Sequence, residues 1–474
     1  MLFDTPVFFA FLTLVVLAYW RLGWRRQNGF LLFASYFFYG WWDWRFLSLI
    51  LISTVVDFFC ARVIASSDNP LKRKVLLTIS VTLNLGFLSF FKYFDFFVDS
   101  MSGLLASLGI HAPHPLLRIL LPPGISFYTF QALAYIVDVY FKKLEPADNL
   151  IDYALFISLF PHLIAGPIQR PSHLLPQIQK PRFFDDPKFF GGLQLIAIGL
   201  FRKCVVADNC ALLANAAFNG QLGPPNLPVL AIGTFAFAWQ IYGDFSGYSD
   251  IARGAAQLMG FHFMVNFRQP YLSRSLQDFW RRWHISLSTW LRDYLYIPLG
   301  GNRNGESQTY RNLMLTMLIG GLWHGANWTF VVWGGIHGVG LALERAVFGR
   351  KGKAEAVAND WFSPLAWAQR IFTFHLVCLS WIFFRAQSLG DAFRLIGGLK
   401  HWAWRPEFGT AFLFLAAFTI PMFLVDLLLE IRQEEYPFEK SPMDFLRLAT
   451  AMSMVLLVTW FSANEVNAFI YFQF

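Results

Sequence analysis

Two histidines lie in segments of the sequence that are rich in tryptophan and glycine. His284 ends the run Phe279-Trp-Arg-Arg-Trp-His284, and His324 ends the run Leu318-Ile-Gly-Gly-Leu-Trp-His324. A neutral imidazole is the usual side chain for abstracting a proton near pH 7. Burial in an apolar segment lowers the pKa of a histidine and so keeps it a base. The pattern predicts proton abstraction with His324 as the general base. The alternative is a structural histidine in a helix.

The residues around His324 favour a functional role. Gly320, Gly321 and Gly325 flank it, and glycines in apolar helices allow a second helix or a substrate to approach closely. Asn327 lies three residues further on, so we expect its side chain on the same helix face, where it would orient a substrate.

A third histidine follows in the same region. His337 lies thirteen residues beyond His324, and on a continuous helix this places it about 140° away, so we interpret it as structural. Basic residues flank the region on both sides. A re-entrant hairpin that bends near Gly334 and Gly335 would bring both flanks to one side of a membrane.

Polar side chains also concentrate in two other apolar stretches. Placing a polar or ionisable group at membrane depth costs free energy, so each of these side chains is a functional candidate. The first, Tyr242-Gly-Asp-Phe-Ser-Gly-Tyr-Ser-Asp250, carries Asp244 and Tyr248, which are four residues apart and share a helix face. The second begins with a Pro-Pro-Gly break and leads to Gln131. Both are candidates for substrate binding. The alternative is a buried polar network or hydrogen bonds that fix helix packing.

The elements that must position these residues are membrane helices. The chain has 474 residues, of which 56% are hydrophobic and only 14% charged, whereas a soluble domain carries roughly 25% charged residues. A span needs roughly 20 apolar residues, and backbone groups in lipid must be satisfied within a helix. Apolar stretches of that order lie near 5–20, 45–66, 74–98, 116–141, 189–219, 228–260, 311–343, 364–386, 408–430 and 444–466.

With two shorter stretches near 30–42 and 151–168, these predict an all-α polytopic membrane protein with about ten to twelve spans or re-entrant helices. We expect one membrane-embedded domain, residues 1–474. The net charge of +8 comes from basic clusters in short loops, which is the positive-inside pattern and argues against nucleic acid as a partner. The four cysteines lack metal-ligand spacing, so no metal site is expected.

Five segments together resemble the membrane-bound O-acyltransferase superfamily. They are Pro122–Tyr140, Phe160–Pro171, Tyr242–Gly254, Phe279–Gly301 and Leu322–Trp328. The order and content of these segments are similar to the bacterial branch that includes alginate and peptidoglycan O-acetyltransferases and the teichoic-acid D-alanyl transferases, with the alginate type most similar.

The resemblance implies a ring-like helical bundle with a central channel. His324 would match the essential histidine of the family, and His284 the second histidine of a Trp-His pair. The reaction would move an acetyl group from cytoplasmic acetyl-CoA, with no bound cofactor, toward hydroxyls of an extracellular or periplasmic polysaccharide. Arg281, Arg282 and Arg292 would attract the CoA phosphates. The alternative for these arginines is contact with lipid headgroups or a purely topological role.

The resemblance further implies a multi-pass protein of the bacterial plasma membrane, with lipids around it and a separate extracellular or periplasmic acetyltransferase as a partner. Two other functions fit many of the same features. A transporter or flippase also has broken helices and intramembrane polar residues. A haem protein would use His284 and His324 as ligands.

The last six residues, Phe469-Ile-Tyr-Phe-Gln-Phe474, contain four aromatic residues and no charge. One interpretation is an interfacial anchor for the last helix. The other rests on a resemblance to an aromatic ending of partner peptides in D-alanylation systems, in which Phe469, Tyr471 and Phe474 match the spacing. It predicts that the Tyr471 hydroxyl is an acyl relay.

Overall fold

The computed structural model describes residues 1–110, 119–164, 166–349, 360–441, 443–463 and 469–470. Within these ranges the chain forms helices and no β-strand, which confirms the all-α prediction. Short 3₁₀ or π-helical turns continue several of the α-helices. In chain order the α-helices are α1 (Pro6–Tyr19), α2 (Trp24–Asp43), α3 (Leu47–Ser66), α4 (Pro70–Leu88), α5 (Phe94–Ser107), α6 (Ile125–Tyr140), α7 (Leu150–Ser158), α8 (Phe160–Leu163), α9 (Pro171–Ile178), α10 (Asp186–Leu200), α11 (Asp208–Phe218), α12 (Leu227–Leu258), α13 (Leu276–Arg282), α14 (Ile285–Leu291), α15 (Glu306–His324), α16 (Trp328–Phe348), α17 (Pro364–Arg385), α18 (Leu389–Gly397), α19 (Pro406–Arg432) and α20 (Asp444–Phe461).

Six helical segments among the described residues are long and apolar enough to cross a membrane. Two of them, 43 and 38 residues long, are about twice the length that one crossing needs. The protein is therefore a multi-pass membrane protein, while the count of ten to twelve spans stays a prediction. The six segments are Trp24–Ser66, Pro70–Ser107, Asp186–Phe218, Trp328–Phe348, Pro364–Arg385 and Pro406–Arg432.

The chain divides into two compact units, each with its own internal packing. The first unit comprises residues 1–193 and 252–264, and the second comprises residues 194–251 and 265–474. The single membrane-embedded domain, residues 1–474, stays a prediction.

In the first unit, a buried carboxylate joins two membrane helices. Asp57 on α3 accepts hydrogen bonds from Ser80 (2.5 Å) and Asn84 (3.0 and 3.1 Å) on α4, and from Ser53 (3.2 Å) one turn earlier on its own helix. Surrounding a buried carboxylate with neutral donors lowers the cost of its burial. This network fixes helix packing, as polar residues in membrane helices often do.

The Pro-Pro-Gly break in the first unit begins a helix, as predicted. Gly124 has a φ of 75°, in the left-handed region, and α6 starts at the next residue. A Cβ atom at Gly124 would overlap the carbonyl oxygen of Leu163, so the position requires glycine for both conformation and space. The helix carries Gln131 in its second turn.

In the second unit, α15 and α16 form a helical hairpin whose turn lies at residues 325–327. The sequence predicted a hairpin with its bend near Gly334 and Gly335, and this position was wrong. Gly334 instead packs against Gly321 near the tip of the hairpin, because the absence of side chains lets the two backbones meet. α15 ends at His324, and the turn begins at the next residue, Gly325. This places His324 at the tip of the hairpin.

The open end of the hairpin is closed by an ion pair. Arg345 near the end of α16 lies 3.1 Å from Glu306, the first residue of α15. Exposed pairs of this kind contribute little stability, about 0–1 kcal/mol. The glycine contact near the tip therefore matters more than this pair for the position of His324.

Candidate active site

The structure brings the two predicted histidines together in the second unit. The ring centroids of His284 and His324 lie 6.3 Å apart, and both side chains are buried, with 0% and 2% of their surface exposed. They reach this position from different elements. His284 occupies the junction between α13 and α14, whereas His324 is the last residue of α15.

The backbone at His284 takes an uncommon conformation. Its φ and ψ are 43° and 54°, in the left-handed region that a non-glycine residue seldom occupies. The chain must turn sharply there because α13 ends at Arg282 and α14 begins at Ile285. Residues held in such regions cluster at functional sites, where the surrounding structure stabilises them.

Asn266 holds the His284 junction in place. Its backbone carbonyl accepts a hydrogen bond from the backbone N–H of Ile285 (2.9 Å). Its side-chain oxygen accepts from the backbone N–H of Ser286 (3.2 Å) and from the Ser286 hydroxyl (2.9 Å). The side-chain amide nitrogen of Asn266 donates to the hydroxyl of Ser249 on α12 (3.2 Å). The asparagine thereby connects α12 to the start of α14.

These contacts determine the tautomer of His284. A backbone N–H needs an acceptor and the NH2 group of asparagine cannot accept, so the atom of Asn266 that faces the Ser286 N–H is the carbonyl oxygen. Nδ1 of His284 lies 3.2 Å from that same oxygen and must carry the proton to hydrogen-bond with it. In the neutral ring, Nε2 then carries the lone pair. Burial lowers the pKa of His284, which lies outside the six long apolar segments, to about 3.

Aromatic rings enclose His324. Trp333 on α16 meets it edge to face at 5.1 Å, and Phe384 on α17 lies at 5.3 Å, both measured between ring centroids. Trp323, its neighbour in the chain, lies 5.1 Å from His324 and 5.8 Å from His284. An apolar enclosure excludes water and strengthens polar interactions with whatever group reaches the imidazole.

His337 is engaged at both ring nitrogens, in agreement with a structural role. The hydroxyl of Ser380 donates its hydrogen to the carbonyl of Val377 (2.7 Å). The hydroxyl oxygen therefore accepts a hydrogen bond from Nε2 of His337 (3.0 Å). Nδ1 of His337 then accepts from the indole N–H of Trp280 (3.3 Å). With Nε2 protonated and Nδ1 occupied, this imidazole offers no lone pair to a substrate.

The predicted position of Asn327 was wrong. It does not share a helix face with His324, because α15 ends at the histidine and Asn327 caps the next helix. Its side-chain oxygen accepts from the backbone N–H of Thr329 (3.0 Å), and its amide donates to the carbonyl of Gln387 (3.1 Å). Asn327 therefore stabilises the hairpin turn that carries His324.

The three arginines differ in their surroundings. Arg282 makes a bidentate ion pair with Glu430 (2.8 and 2.9 Å) and a further ion pair with Asp278 (2.8 Å). Arg292 pairs with the adjacent Asp293 at 2.7 Å. Arg281 is exposed to solvent. Because carboxylates already neutralise Arg282 and Arg292, Arg281 is the best placed of the three to meet an added phosphate.

Asp244 and Tyr248 lie on one face of α12, as predicted, and both contact the last described residues of the chain. The backbone N–H of Ile470 donates to Asp244 at 2.7 Å. The ring of Phe469 lies 4.2 Å from that of Tyr248. Tyr471, the predicted acyl relay, and Phe474 lie outside the described residues.

Gln131 belongs to the first unit, where only 1% of its surface is exposed. Neither its side-chain oxygen nor its nitrogen has a hydrogen-bond partner among the described residues. Such a buried amide is unusual in proteins and is consistent with a polar group that a substrate satisfies.

Asn266 is the site residue that reasoning from the sequence missed. It stands as a single polar residue between Val265 and Phe267, in an apolar run that follows the end of α12. A single polar residue in an apolar run was the one feature that could have indicated a role for Asn266. Nothing in the local spacing connects Asn266 to His284. Nothing in the sequence indicated that Trp333 and Phe384 belong to the site, since aromatic residues are common throughout the chain.

No group of three or more histidine, cysteine, aspartate or glutamate side chains that could hold a metal ion occurs in the described part of the chain. What the site presents is two neighbouring imidazoles, one with a determined tautomer. A hydroxyl group between them can be bound by one ring and deprotonated by the other.

A model of the membrane-bound O-acyltransferase family matches residues 147–388, a range that contains His284, His324 and Asn266. The chain is 45% identical over 403 residues to a protein of Pseudomonas putida named "probable alginate O-acetylase", which covers 84% of this chain and 80% of that protein. It is 37% identical over 434 residues to a peptidoglycan O-acetyltransferase of Helicobacter pylori, covering 84% and 80% of the two chains. A teichoic acid D-alanyltransferase of Bacillus subtilis is 28% identical over 292 residues, with coverage of 58% and 70%.

Proposed function

The chain belongs to the membrane-bound O-acyltransferase family, and from this membership we propose that it moves acetyl groups from cytoplasmic acetyl-CoA to hydroxyls of a polysaccharide outside the plasma membrane. It is a multi-pass membrane acyltransferase. Support for acetyl as the group and polysaccharide as the acceptor comes from the names of the relatives, which include alginate and peptidoglycan O-acetylation. An alginate-like exopolysaccharide or peptidoglycan is the acceptor that these relatives favour.

The observation that carries the proposal is the meeting of His284 and His324 in a buried aromatic enclosure. In our mechanism, His324 takes the proton from the attacking hydroxyl. The oxygen forms a bond with the thioester carbonyl carbon, the carbon–sulfur bond breaks, and the CoA thiolate leaves and receives that proton. His284 presents its Nε2 lone pair and orients the hydroxyl. A neutral imidazole in a dry site suits general-base catalysis.

The donor is held through its phosphates in this proposal. Arg281, which is exposed, binds a phosphate of CoA, while Arg282 and Arg292 contribute positive potential from within their carboxylate pairs. Asn327 acts on the site indirectly by fixing the hairpin turn beside His324.

We also propose that Tyr471 relays the acetyl group. Its hydroxyl would attack the thioester, with His324 as base, and the resulting phenolic ester would pass the acetyl group to a serine of an extracellular or periplasmic partner protein. The position of Phe469 supports this. Its ring lies 5.8 Å from Phe245, which lies 4.6 Å from His284. The competing proposal is that the segment anchors the last helix at the membrane interface.

Proteoliposomes loaded with acetyl-CoA test the acyl-transfer function directly. With acceptor polysaccharide and any required partner outside, we expect release of free CoA inside and acetyl esters outside. Replacing His324→Ala should lower both by at least about 10²-fold, the usual contribution of a general base. His375→Ala is the control. It changes a histidine of the same unit that is exposed and bonds to the carbonyl of Ile371 in its own helix. Near-normal transfer by His324→Ala would exclude the mechanism.

A further inference from the structure

The last described residues of the chain, Phe469 and Ile470, are as buried as the core of the second unit, with 0% and 1% of their surface exposed. The Ile470 backbone N–H donates to Oδ2 of Asp244 at 2.7 Å. The Phe469 ring packs on Tyr248 at 4.2 Å. Two contacts of different kinds, one polar and one aromatic, therefore hold this short segment against one face of α12.

The other oxygen of Asp244 is held from the opposite direction. Nζ of Lys203 lies 2.9 Å from Oδ1 of Asp244 and 2.8 Å from Asp208. The lysine side chain is 1% exposed. Each oxygen of Asp244 thus has its own donor, and the lysine fixes the direction in which the carboxylate faces Ile470. Buried ion pairs seldom add net stability, whereas they can specify one arrangement of neighbouring elements.

Lys203 lies in a π-helical segment, Phe201–Ala207, that continues α10. Such segments shift the register of side chains and are frequent at functional sites. The consecutive residues Arg202 and Lys203 both reach α12 from this segment, since Arg202 pairs with Asp250 at 2.6 Å and Lys203 with Asp244. The helices are also joined tightly by Gly199 and Gly247. Asp244 is thus not needed to bring them together.

We propose that Lys203 and Asp244 form a latch that holds residues 469–470 beside the two-histidine site, and that Asp244 serves this segment rather than the acyl donor. The inference rests on the proposed acetyl transfer, because the latched segment leads directly to Tyr471. A row of rings connects the latch to the site, from Phe469 through Phe245 to His284. Asp244 and Lys203 are positioning residues in this scheme, since they act through the segment that they hold.

Hydrogen exchange of the peptide that contains residues 469–474 tests the latch without reference to activity. Lys203 and Ile470 donate to different oxygens of Asp244, so Asp244→Asn turns one of the two acceptors into an NH2 group and the donor that faces it loses its partner. Ile470→Pro removes the backbone donor and leaves the Lys203–Asp244 pair intact. We expect each variant to accelerate exchange of this peptide by about ten-fold or more, as loss of a hydrogen bond to a charged group does. The double variant should add little to the larger single effect.

Asp426→Asn is the matched control. Asp426 is a carboxylate of similar burial in the same unit, and its partners are Arg202 (3.3 Å) and Tyr242 (2.8 Å) rather than the latched segment. Its replacement should leave exchange of the peptide unchanged. Equal acceleration in Asp426→Asn and Asp244→Asn would show general destabilisation and overturn the latch. Unchanged exchange in both Asp244→Asn and Ile470→Pro would also overturn it.

Transfer kinetics separate the latch from donor binding. The latch predicts that Asp244→Asn and Ile470→Pro both lower kcat for polymer acetylation and leave KM for acetyl-CoA unchanged. A raised KM in Asp244→Asn alone would assign Asp244 to the donor and overturn the proposal. Failure of the proposed function is a different result. It would appear as no release of CoA and no acetyl esters with the wild-type protein, and hydrogen exchange would still decide whether the segment is latched.

Discussion

The side-chain oxygen of Asn266 lies 3.2 Å from Nδ1 of His284 and receives two further hydrogen bonds from Ser286. One amide therefore sets the position, the ring orientation and the tautomer of a buried imidazole. Its own orientation is set in turn, since its nitrogen donates to Ser249. The relationship gives His284 a defined task, because only the Nδ1–H tautomer presents Nε2 as an acceptor.

We predict that Asn266→Ala lowers kcat for acetyl transfer by about 10–100-fold, by analogy with the loss when the hydrogen-bond partner that orients a metal-bound histidine is removed. KM for acetyl-CoA should stay constant, because Asn266 acts on the histidine and not on the donor. Asn226→Ala is the control. Asn226 is also buried in the second unit, and it accepts a hydrogen bond from Val229 near the start of α12. A wild-type kcat in Asn266→Ala would contradict the assignment.

The pH dependence of Asn266→Asp provides a second test of the same contact. His284 has a pKa of about 3 in the native protein because it is buried, so it stays neutral at physiological pH. A carboxylate at position 266 raises the pKa of a nearby histidine, typically by about 1–3 units. Protonation removes the Nε2 lone pair, so transfer by the variant should fall as pH decreases through the window of about 6 to 4, where the raised pKa lies. Rates measured between about pH 4 and 8 would refute this if the profiles of the variant and the wild type coincide.

A third prediction concerns the hairpin that carries His324. Gly334 on α16 packs against Gly321 on α15, and a methyl group there would overlap the carbonyl oxygen of Met317. Gly334→Ala should force the helices apart, cost about 1–3 kcal/mol of stability and lower transfer by displacing His324. Gly335→Ala is the control, because its Cβ would lie 3.6 Å from Leu318, an ordinary contact. Thermal unfolding in detergent and transfer rates measure both effects. Equal behaviour of the two variants would count against the close contact.

Much of the fold was predictable, because hydrophobicity and the scarcity of charge determine that helices form and cross the membrane. The Pro-Pro-Gly break and the shared face of Asp244 and Tyr248 followed from backbone preferences and helix periodicity. The hairpin turn was misplaced because a run of glycines offers several points at which a helix can end. In the structure, Gly321 packs on Gly334 and the ring of Phe330 occupies the space in which a Cβ of residue 325 would lie, so glycine suits the turn at this position.

The two histidines of the site could be predicted from the sequence, whereas the residues that contact them were harder to predict. Asn266 lies eighteen residues before His284. It belongs to a segment without regular secondary structure that follows α12, and such a segment has no periodicity from which the contact could be predicted. Asp244 invited an assignment to substrate, since a carboxylate at membrane depth is a functional candidate. That assignment stays a prediction, and one hydrogen-bond donor of Asp244, the backbone N–H of Ile470, lies 226 residues away, a separation that local patterns cannot predict.

A fourth prediction separates the two adjacent arginines. Arg281→Gln should raise KM for acetyl-CoA by about ten-fold, the lower end of the range for one charge-assisted hydrogen bond, because the residue is exposed. Arg282→Gln should leave KM unchanged and reduce stability by about 3 kcal/mol, because Glu430 then loses its cation. Steady-state kinetics in proteoliposomes and unfolding in detergent distinguish them. An unchanged KM in Arg281→Gln, with normal insertion, would assign the arginine to topology.

The last prediction concerns Tyr471, whose hydroxyl we propose as the acyl relay. The chemical reason is that a phenolic ester is a more reactive acyl donor than an alkyl ester, because phenolate is the better leaving group. The described part of the same segment is held by Asp244 and Tyr248, and Phe469 packs on Phe245, a neighbour of His284. The described residues Phe469 and Ile470 therefore hold the chain beside the site immediately before Tyr471 in the sequence.

Tyr471→Phe isolates this chemistry, since it keeps the aromatic ring and removes only the nucleophilic oxygen. We expect it to abolish polymer acetylation and to eliminate an acetyl adduct on the peptide that contains residue 471, as detected by mass spectrometry. Phe472→Leu, which leaves the tyrosine in place, should retain the adduct. An anchor needs the ring and not the hydroxyl, because interfacial phenylalanine and tyrosine both bury their rings at the headgroups. Wild-type acetylation by Tyr471→Phe would consequently exclude the relay, and the anchor would account for the aromatic segment.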